Sequence, residues 1–331
     1  TCYSDDETIL VKAPYDLAFP KSMADSSLVA NVITEKFVKY LPLYRQEKLF
    51  KNVGLPISRA NLSNWFLAGA EYLKPLFNIM HDDVLKLDIL HMDETTVQVI
   101  ENAKFKSYIW GVCTSKHDIP VYLYFYKESR EHNNAKIILK DYKGYIQSDG
   151  YEAYDKIDNC IDVCCMAHAR RKYSDFITMC KGKLEVSSSL CLQGLKYINE
   201  LYSIESNLEK EKASINRIYE VRNTKSKEVL DRYKIWLDET YPTLPPKSNL
   251  AKALFYSINN FNNLSNYLLD GRLSIDNNRA ERQMKNFVIG RKNWMFCNTL
   301  NGAESSSIAY SIVETAIANN LNVFEYLKYT F

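Results

Sequence analysis

Glycine is scarce in this chain, at 10 of 331 residues. That argues against a glycine-rich loop cradling a nucleotide's phosphates. No run of roughly 18 apolar residues exists, so nothing reads as a membrane-spanning helix. No secretory signal pattern is visible at the start. Charge of one sign is not in excess either. With 42 bases against 40 acids the formal net charge is +2, so a nucleic-acid surface would have to come from local clustering. The eight cysteines form no disulfide framework. Several sit in apolar runs, as Cys113 does in "YIWGVC", which fits a reducing cytosol. The first residue is Thr1 rather than Met, and an N-terminal part is expected to be missing.

What remains is an ordinary folded composition, 46% hydrophobic and 25% charged, in a chain long enough for two or three units. Residues 1–24 read as an extended, weakly structured lead-in. From Ser26 the apolar residues Leu28, Val29, Val32, Ile33 and Phe37 recur at a helical period. Two more helices follow in "LPLYRQEKLFKNVGLPISRANLSNWFLAGAEYL", broken at Gly54 and Pro56, with Ser58 as N-cap. Residues 25–84 thus resemble a helix-turn-helix that would place Arg59 and the residues up to 66 in a DNA major groove. The break from Lys51 to Ser58 exceeds the usual tight turn of about 3–4 residues, so a plain helical hairpin stays open.

At Leu85 the pattern changes to alternation. In "LKLDILHMDETTVQVI", Ile89, His91, Asp93 and Val97 share one parity, while Asp88, Met92, Glu94 and Gln98 share the other. "SYIWGVCTS" and "IPVYLYFYKES" continue as strands. "HNNAKIILKDY" is a helix, "GYIQSDG" a short strand ending at Asp149, "YEAYDKI" a short helix and "CIDVCCMAH" a further strand. A meander followed by crossovers predicts an α/β architecture, a mixed five-stranded sheet flanked by helices. Residues 85–180 form its first part. Residues 181–246 read as amphipathic, charge-mixed helices closed by "YPTLPP", and 247–331 as a final helical part.

Asp93 and Asp149 sit in or at the end of predicted strands, where acids are unusual unless exposed or used. Glu281 sits on a later helix among Arg279, Arg282, Lys285, Arg291 and Lys292. Two strand aspartates and a helical glutamate offer hard oxygen ligands suited to Mg²⁺ or Mn²⁺. Each acid has an ordinary alternative: a strand-edge charge for Asp93, an Asp-Gly turn for Asp149, and for Glu281 a capping-box-like start with Asn278. Glu94 and Glu152 compete as ligands. Cys160, Cys164, Cys165 and His168 lie close together in "CIDVCCMAH". That spacing lacks the two separated pairs of a zinc site, and a buried strand is the reading preferred.

Five separated motifs decide more. "LPLYRQEKLF", "HMDETTVQV", "YIQSDGYEAYD", "AHARRKYSDF" and "GRLSIDNNRAERQMKNFVIGRKNWMF" occur in that order. Together they resemble the transposases of the insertion sequence sixty-six family over nearly the whole chain. The resemblance implies an RNase H-like core with a DDE triad, matched here by Asp93 of "HMDET", Asp149 of "SDGY" and Glu281 of "NNRAER". It also implies a helical insertion between the second Asp and the Glu. Members usually carry a cysteine-rich zinc-binding segment ahead of this region. Here only Cys2 remains, so residues 1–24 are expected to be its remnant.

The expected activity is a metal-dependent DNA transposase. It would use Mg²⁺ or Mn²⁺, two ions, to cut at transposon ends and join the freed 3′ hydroxyl to target DNA. Bases to hold DNA are Arg59, Arg170, Arg171, Lys172, Arg279, Arg282, Lys285, Arg291 and Lys292. Trp294 is either a stacking platform for a flipped base or a core residue. Lys285 shares a helix face with Glu281, as a phosphate holder or as an ordinary Glu-Lys pair. Expected partners are transposon-end and target DNA, a second copy of the chain on that DNA and accessory proteins of the same element, in the bacterial cytoplasm at the nucleoid; no membrane partner is expected. Two rivals stay open: a truncated, transposition-incompetent DNA-binding remnant, and a nuclease on the same core.

Overall fold

The computed structural model describes residues 2–4, 7–9, 18–19, 22–102, 104, 106–151, 154, 157–179 and 186–331. Two short strands, β1 (Cys2–Ser4) and β2 (Glu7–Ile9), pair antiparallel. Three helices follow: α1 (Ser26–Phe37), α2 (Leu43–Asn52) and α3 (Arg59–Val84). Asp25 caps α1, its carboxylate accepting from Leu28 N at 2.8 Å. Ser58 caps α3 as expected, accepting from Asn61 N at 3.2 Å. α1 buries Val29, Val32, Ile33 and Phe37, the stripe that its periodicity predicts.

The sheet contains β3 (Ile89–Gln98), β4 (Lys106–Thr114), β5 (Tyr122–Lys127), β6 (Tyr145–Ser148) and β7 (Ile161–Cys164), with α4 (His132–Leu139) between β5 and β6. Its spatial order is β5-β4-β3-β6-β7. The first three strands run antiparallel, and β6 and β7 add in parallel. The mixed five-stranded sheet expected from the alternation is therefore present, in an α/β fold of RNase H-like form. The strand-edge alternative for Asp93 falls, because β3 is the central strand. Both faces of β3 are covered, and Ile89, Leu90, His91 and Met92 are all buried.

One boundary differs from the sequence reading. The last strand does not run to His168. Cys165 N still bonds Ser148 O at 2.9 Å, but Met166 N turns to Ile275 O at 3.0 Å. From there α5 (Met166–Met179) begins. The apolar run "CIDVCCMA" serves first as strand and then as the buried side of a helix, a switch that hydrophobicity alone does not mark. Arg170, Arg171 and Lys172 consequently lie on a helix. The expected short helix "YEAYDKI" falls largely outside the described residues, as does Glu152.

Beyond α5 come α6 (Val186–Lys210), α7 (Ile215–Val221), a π-helical turn (Arg222–Ser226), α8 (Lys227–Thr240), α9 (Asn249–Asn259) and α10 (Phe261–Ser265). Arg222 fixes this helical part. Its guanidinium grips Glu205 through two bonds of 2.8 and 2.6 Å and donates to the carbonyls of Tyr267 and Asp270. A second apolar core collects here around Tyr173, Tyr233, Leu237 and Leu254, and it reaches the sheet at Ile89 and Val163.

The chain then returns to the sheet. α11 (Asn278–Trp294) packs across β3 and β4, and α12 (Leu300–Ala318) lies against β5 and α3; α13 (Val323–Thr330) packs on α1. α12 covers the open edge of the sheet with its own side chains. Ser311 Oγ accepts from Tyr124 N at 2.8 Å, Thr315 Oγ1 accepts from Tyr122 N at 2.9 Å, and Asn319 donates to Pro120 O at 2.7 Å. An edge strand whose amides are taken in this way cannot recruit another strand there.

Candidate active site

Asp93 lies midway along β3, opposite Gly111 of β4. A Cβ built at Gly111 would come within 2.6 Å of Met284 Sδ on α11. The bare glycine is what lets α11 lie this close to the sheet beside Asp93. Asp149 follows β6 directly, and its carboxylate accepts from Tyr151 N at 2.9 Å. Gly150, at φ +82°, makes the turn. An added Cβ there would meet Cys164 Sγ and Tyr256 Oη at 3.0 Å each. The Asp-Gly turn is real, and it leaves the second carboxylate oxygen of Asp149 3.7 Å from Arg130.

Glu281 is aimed by a buried network at the start of α11. Asn277 precedes the helix and is fully buried. Its amide nitrogen donates to Met92 O at 2.7 Å, which fixes its orientation, so its oxygen accepts from His91 Nδ1 at 2.9 Å. Burial drives the His91 imidazole down to about 4. The ring is neutral near pH 7, with its proton on Nδ1. Asp276 Oδ1 accepts from Asn278 N at 3.1 Å, while Tyr202 of α6 donates to its other oxygen at 3.2 Å. The capping-box alternative for Glu281 does not hold. The helix has no side-chain cap bond at Asn277, and the buried Oε1 of Glu281 has no hydrogen-bond partner.

These placements bring the three acids into one electrostatic neighbourhood. Burial, followed by the charges of Glu94, Asp149 and Glu281, pushes the Asp93 carboxyl up from 3.8 to about 8. An open cleft of about 490 Å³ is lined by Asp93, Thr95, His168, Arg171, Glu281 and Lys285, among others. Asp149 bears on this cluster by charge and is not among the residues lining the cleft. A carboxyl raised by burial and acidic neighbours, as at Asp93, and the unbonded carboxylate oxygen of Glu281 are oxygen donors of the kind that hard divalent cations take. Asp93, Asp149 and Glu281 are all donors of this kind, but among the described residues their ligand atoms do not all lie within 4.8 Å of one another.

Glu94 is not available to them. Its side chain is 1% exposed. Arg130 takes Oε1 at 2.6 Å and Tyr154 takes Oε2 at 2.6 Å. Arg130 stacks over Tyr151 at 3.8 Å, so one guanidinium serves Glu94, Asp149 and an aromatic face. Arg130, Tyr154 and Asn277 escaped the sequence reading, and His168, weighed there only with Cys160, Cys164 and Cys165, lies beside Glu281. The "NN" ahead of "RAER" was the available signal for Asn277, whereas nothing local marks Arg130.

The bases divide into two sets. Arg282, Lys285 and Lys292 are exposed and, among the described residues, have no ion-pair partner. The helix pair of Glu281 with Lys285 is not formed. Glu281 faces Arg171 at 3.4 Å and His168 at 3.5 Å instead. Arg170 donates to Asn199 at 3.0 Å, and Lys172 lies 5.6 Å over Tyr256. Arg59 is exposed at the start of α3, its backbone N–H held by Glu47. Two bases turn inward: Arg279 donates to Thr114 O at 2.6 Å, and Arg291 to Thr96 O. Trp294 packs edge-on against Phe287 at 5.4 Å and is half-buried. Among the described residues, no helix is long and apolar enough to cross a membrane.

A family model described as "Transposase IS66 family" matches residues 21–305. The chain belongs to this family. Among curated relatives, it is 27% identical over 339 residues to "Uncharacterized protein y4jD" of Sinorhizobium fredii, covering 97% of this chain and 65% of that protein. It is 26% identical over 341 residues to "Uncharacterized protein y4hP" of the same organism, covering 97% and 61%. The IS66-family chain thus spans less than two thirds of the length of these relatives. Membership supports a transposase-related role, and the resemblance read from the five motifs stands.

Proposed function

We propose that this chain is the catalytic part of a DNA transposase that cuts at transposon ends and transfers the freed 3′ end into target DNA. The observation that carries this reading is that Asp93 and Glu281 line one cleft beside the exposed bases Arg282 and Lys285, with Asp149 near enough for its charge to raise the Asp93 carboxyl. Divalent ions held by these three acids would polarise the scissile phosphate and steady both the attacking and the leaving oxygen. The protein's own contribution is placement. Asn277 and Gly111 set α11 against β3, Arg130 occupies Glu94 and steers Asp149, and Arg282 and Lys285 offer cationic contacts to the phosphate backbone. Arg171 neutralises Glu281 in the absence of ions. Being half exposed, it is free to move to DNA.

The test is an in vitro reaction of the chain with Mg²⁺, a duplex carrying the ends of the flanking element and a second duplex as target. Cleavage followed by covalent joining of the 3′ end to the target is expected. Cleavage without joining would make the protein a nuclease on the same core. Binding without cleavage would make it a DNA-binding remnant.

A further inference from the structure

Cys165, at the end of β7, and His168, in the first turn of α5, face Glu281 across the cleft wall. One donor atom from each, sulfur, imidazole nitrogen and carboxylate oxygen, lies within 4.8 Å of the other two. His168 Nδ1 and Glu281 Oε1 are 3.5 Å apart. Both atoms are buried and neither has a hydrogen-bond partner, an arrangement that costs stability if nothing else occupies the gap. Ligand atoms about 2.1 Å from a shared tetrahedral metal stand roughly 3.4 Å from one another. The observed spacing suits two ligands of one cation better than a hydrogen bond. From these contacts we infer a second cation site, made by Cys165, His168 and Glu281, that takes a thiophilic divalent ion such as Zn²⁺.

The surroundings of the sulfur support this. Cys165 Sγ accepts from Asn277 N at 3.1 Å, where α11 begins. An amide donor of this kind is the usual support for a metal-bound thiolate. Without metal, burial pushes the Cys165 thiol up to about 12, so binding replaces its proton, which leaves to solvent. Three protein ligands leave a fourth position open. The opposing charge is Arg171, 3.4 Å from the other oxygen of Glu281 and 51% exposed, so it can swing away.

Soft and hard cations would then compete for Glu281. A hard-cation set needs its carboxylate, and zinc on Cys165 and His168 would hold it on the other side. This consequence rests on the proposed role of Glu281 in cleavage; the site itself does not. Zinc would act as an inhibitor through a pair of residues that the three-acid set does not use.

The full chain, stripped of metal, is titrated with Co²⁺ alone and followed by absorption. Near-ultraviolet thiolate-to-cobalt absorption with visible bands of tetrahedral cobalt is expected, saturating at one ion per chain and abolished by Zn²⁺. Cys165→Ser should lose the thiolate band, and His168→Gln should weaken binding at least about tenfold. His168→Gln keeps the measurement decisive should Cys165→Ser fail to fold. No thiolate band in the wild type, a band undiminished in Cys165→Ser, or unchanged affinity in His168→Gln overturns the site. In the cleavage reaction, stoichiometric Zn²⁺ should suppress the wild type more than Cys165→Ser. If neither protein cleaves DNA, the transposase reading fails while the cobalt titration still decides this site.

Discussion

Replacing Asp93 with Asn should make the metal-free protein more stable while ending its cleavage activity. Asp93 titrates at about 8 in the fold, from 3.8 in the free side chain, because burial and then Glu94, Asp149 and Glu281 oppose its charge. Between those two values the folded carboxyl keeps a proton that the unfolded chain has released. Wild-type stability therefore falls as pH rises through this window. At about 1.4 kcal/mol per pH unit, the loss at pH 7 has a ceiling of roughly 4 kcal/mol. Water entry and side-chain relaxation lower that ceiling, so a gain of about 1–3 kcal/mol is expected for the neutral isostere. Asn keeps the oxygen that accepts from Glu94 N at 2.9 Å, so little else changes. For a chain of this size the gain corresponds to about 1.5–4 °C in Tm. The assay is thermal unfolding in EDTA at several pH values. The difference should be largest near pH 8 and shrink to within about 1 °C at about pH 3, below the unfolded value, where Asp93 is mostly protonated in both states. Mg²⁺ should raise the wild type's Tm and leave Asp93→Asn unmoved. An Asp93→Asn protein no more stable than wild type at pH 8, or a gap that does not depend on pH, would refute the account of a strained acid cluster.

Three further outcomes follow from the same geometry. Glu281→Gln should melt within a few degrees of wild type, still bind DNA and lose Mg²⁺-dependent cleavage by at least about a hundredfold; normal cleavage would remove it from the ligand set. Asn277→Ala should lower stability by about 2–4 kcal/mol in urea unfolding, since it strands His91 Nδ1 and Met92 O inside the protein; a loss under about 0.5 kcal/mol would mean that the network does not hold α11. Changing Arg282 and Lys285 together to Ala should weaken binding to any duplex and lower the log–log salt slope by about two, because each is an exposed cation beside the cleft. An unchanged slope would place the DNA elsewhere.

The amino-acid order by itself determined a good deal here. Two-residue alternation from Leu85 onward gave the strands, and the change from meander to crossover gave a mixed sheet, because side chains on a strand must alternate between faces. The helical stripe of α1 and the cap at Ser58 are local chemistry and were legible as such. Asp93 and Asp149 stood out because acids are rare on strands, and the five motifs named the family. Tertiary structure alone decided what these residues meet. Glu94 differs from Asp93 by one position, yet its oxygens are consumed by Arg130 and Tyr154, residues 36 and 60 positions away. Arg279 and Arg291 read as surface bases but spend their donors on carbonyls of β4 and β3. The apolar stretch through Cys165 breaks from strand to helix because the amide of Met166 finds Ile275 rather than a neighbouring strand. Glu281 owes its aim to Asn277, whose partners His91 and Met92 lie some 185 residues earlier. Hydrophobic periodicity reports only which side of an element is buried; which donor meets which acceptor is fixed by the packing of distant segments, and the candidate site is built from such pairs.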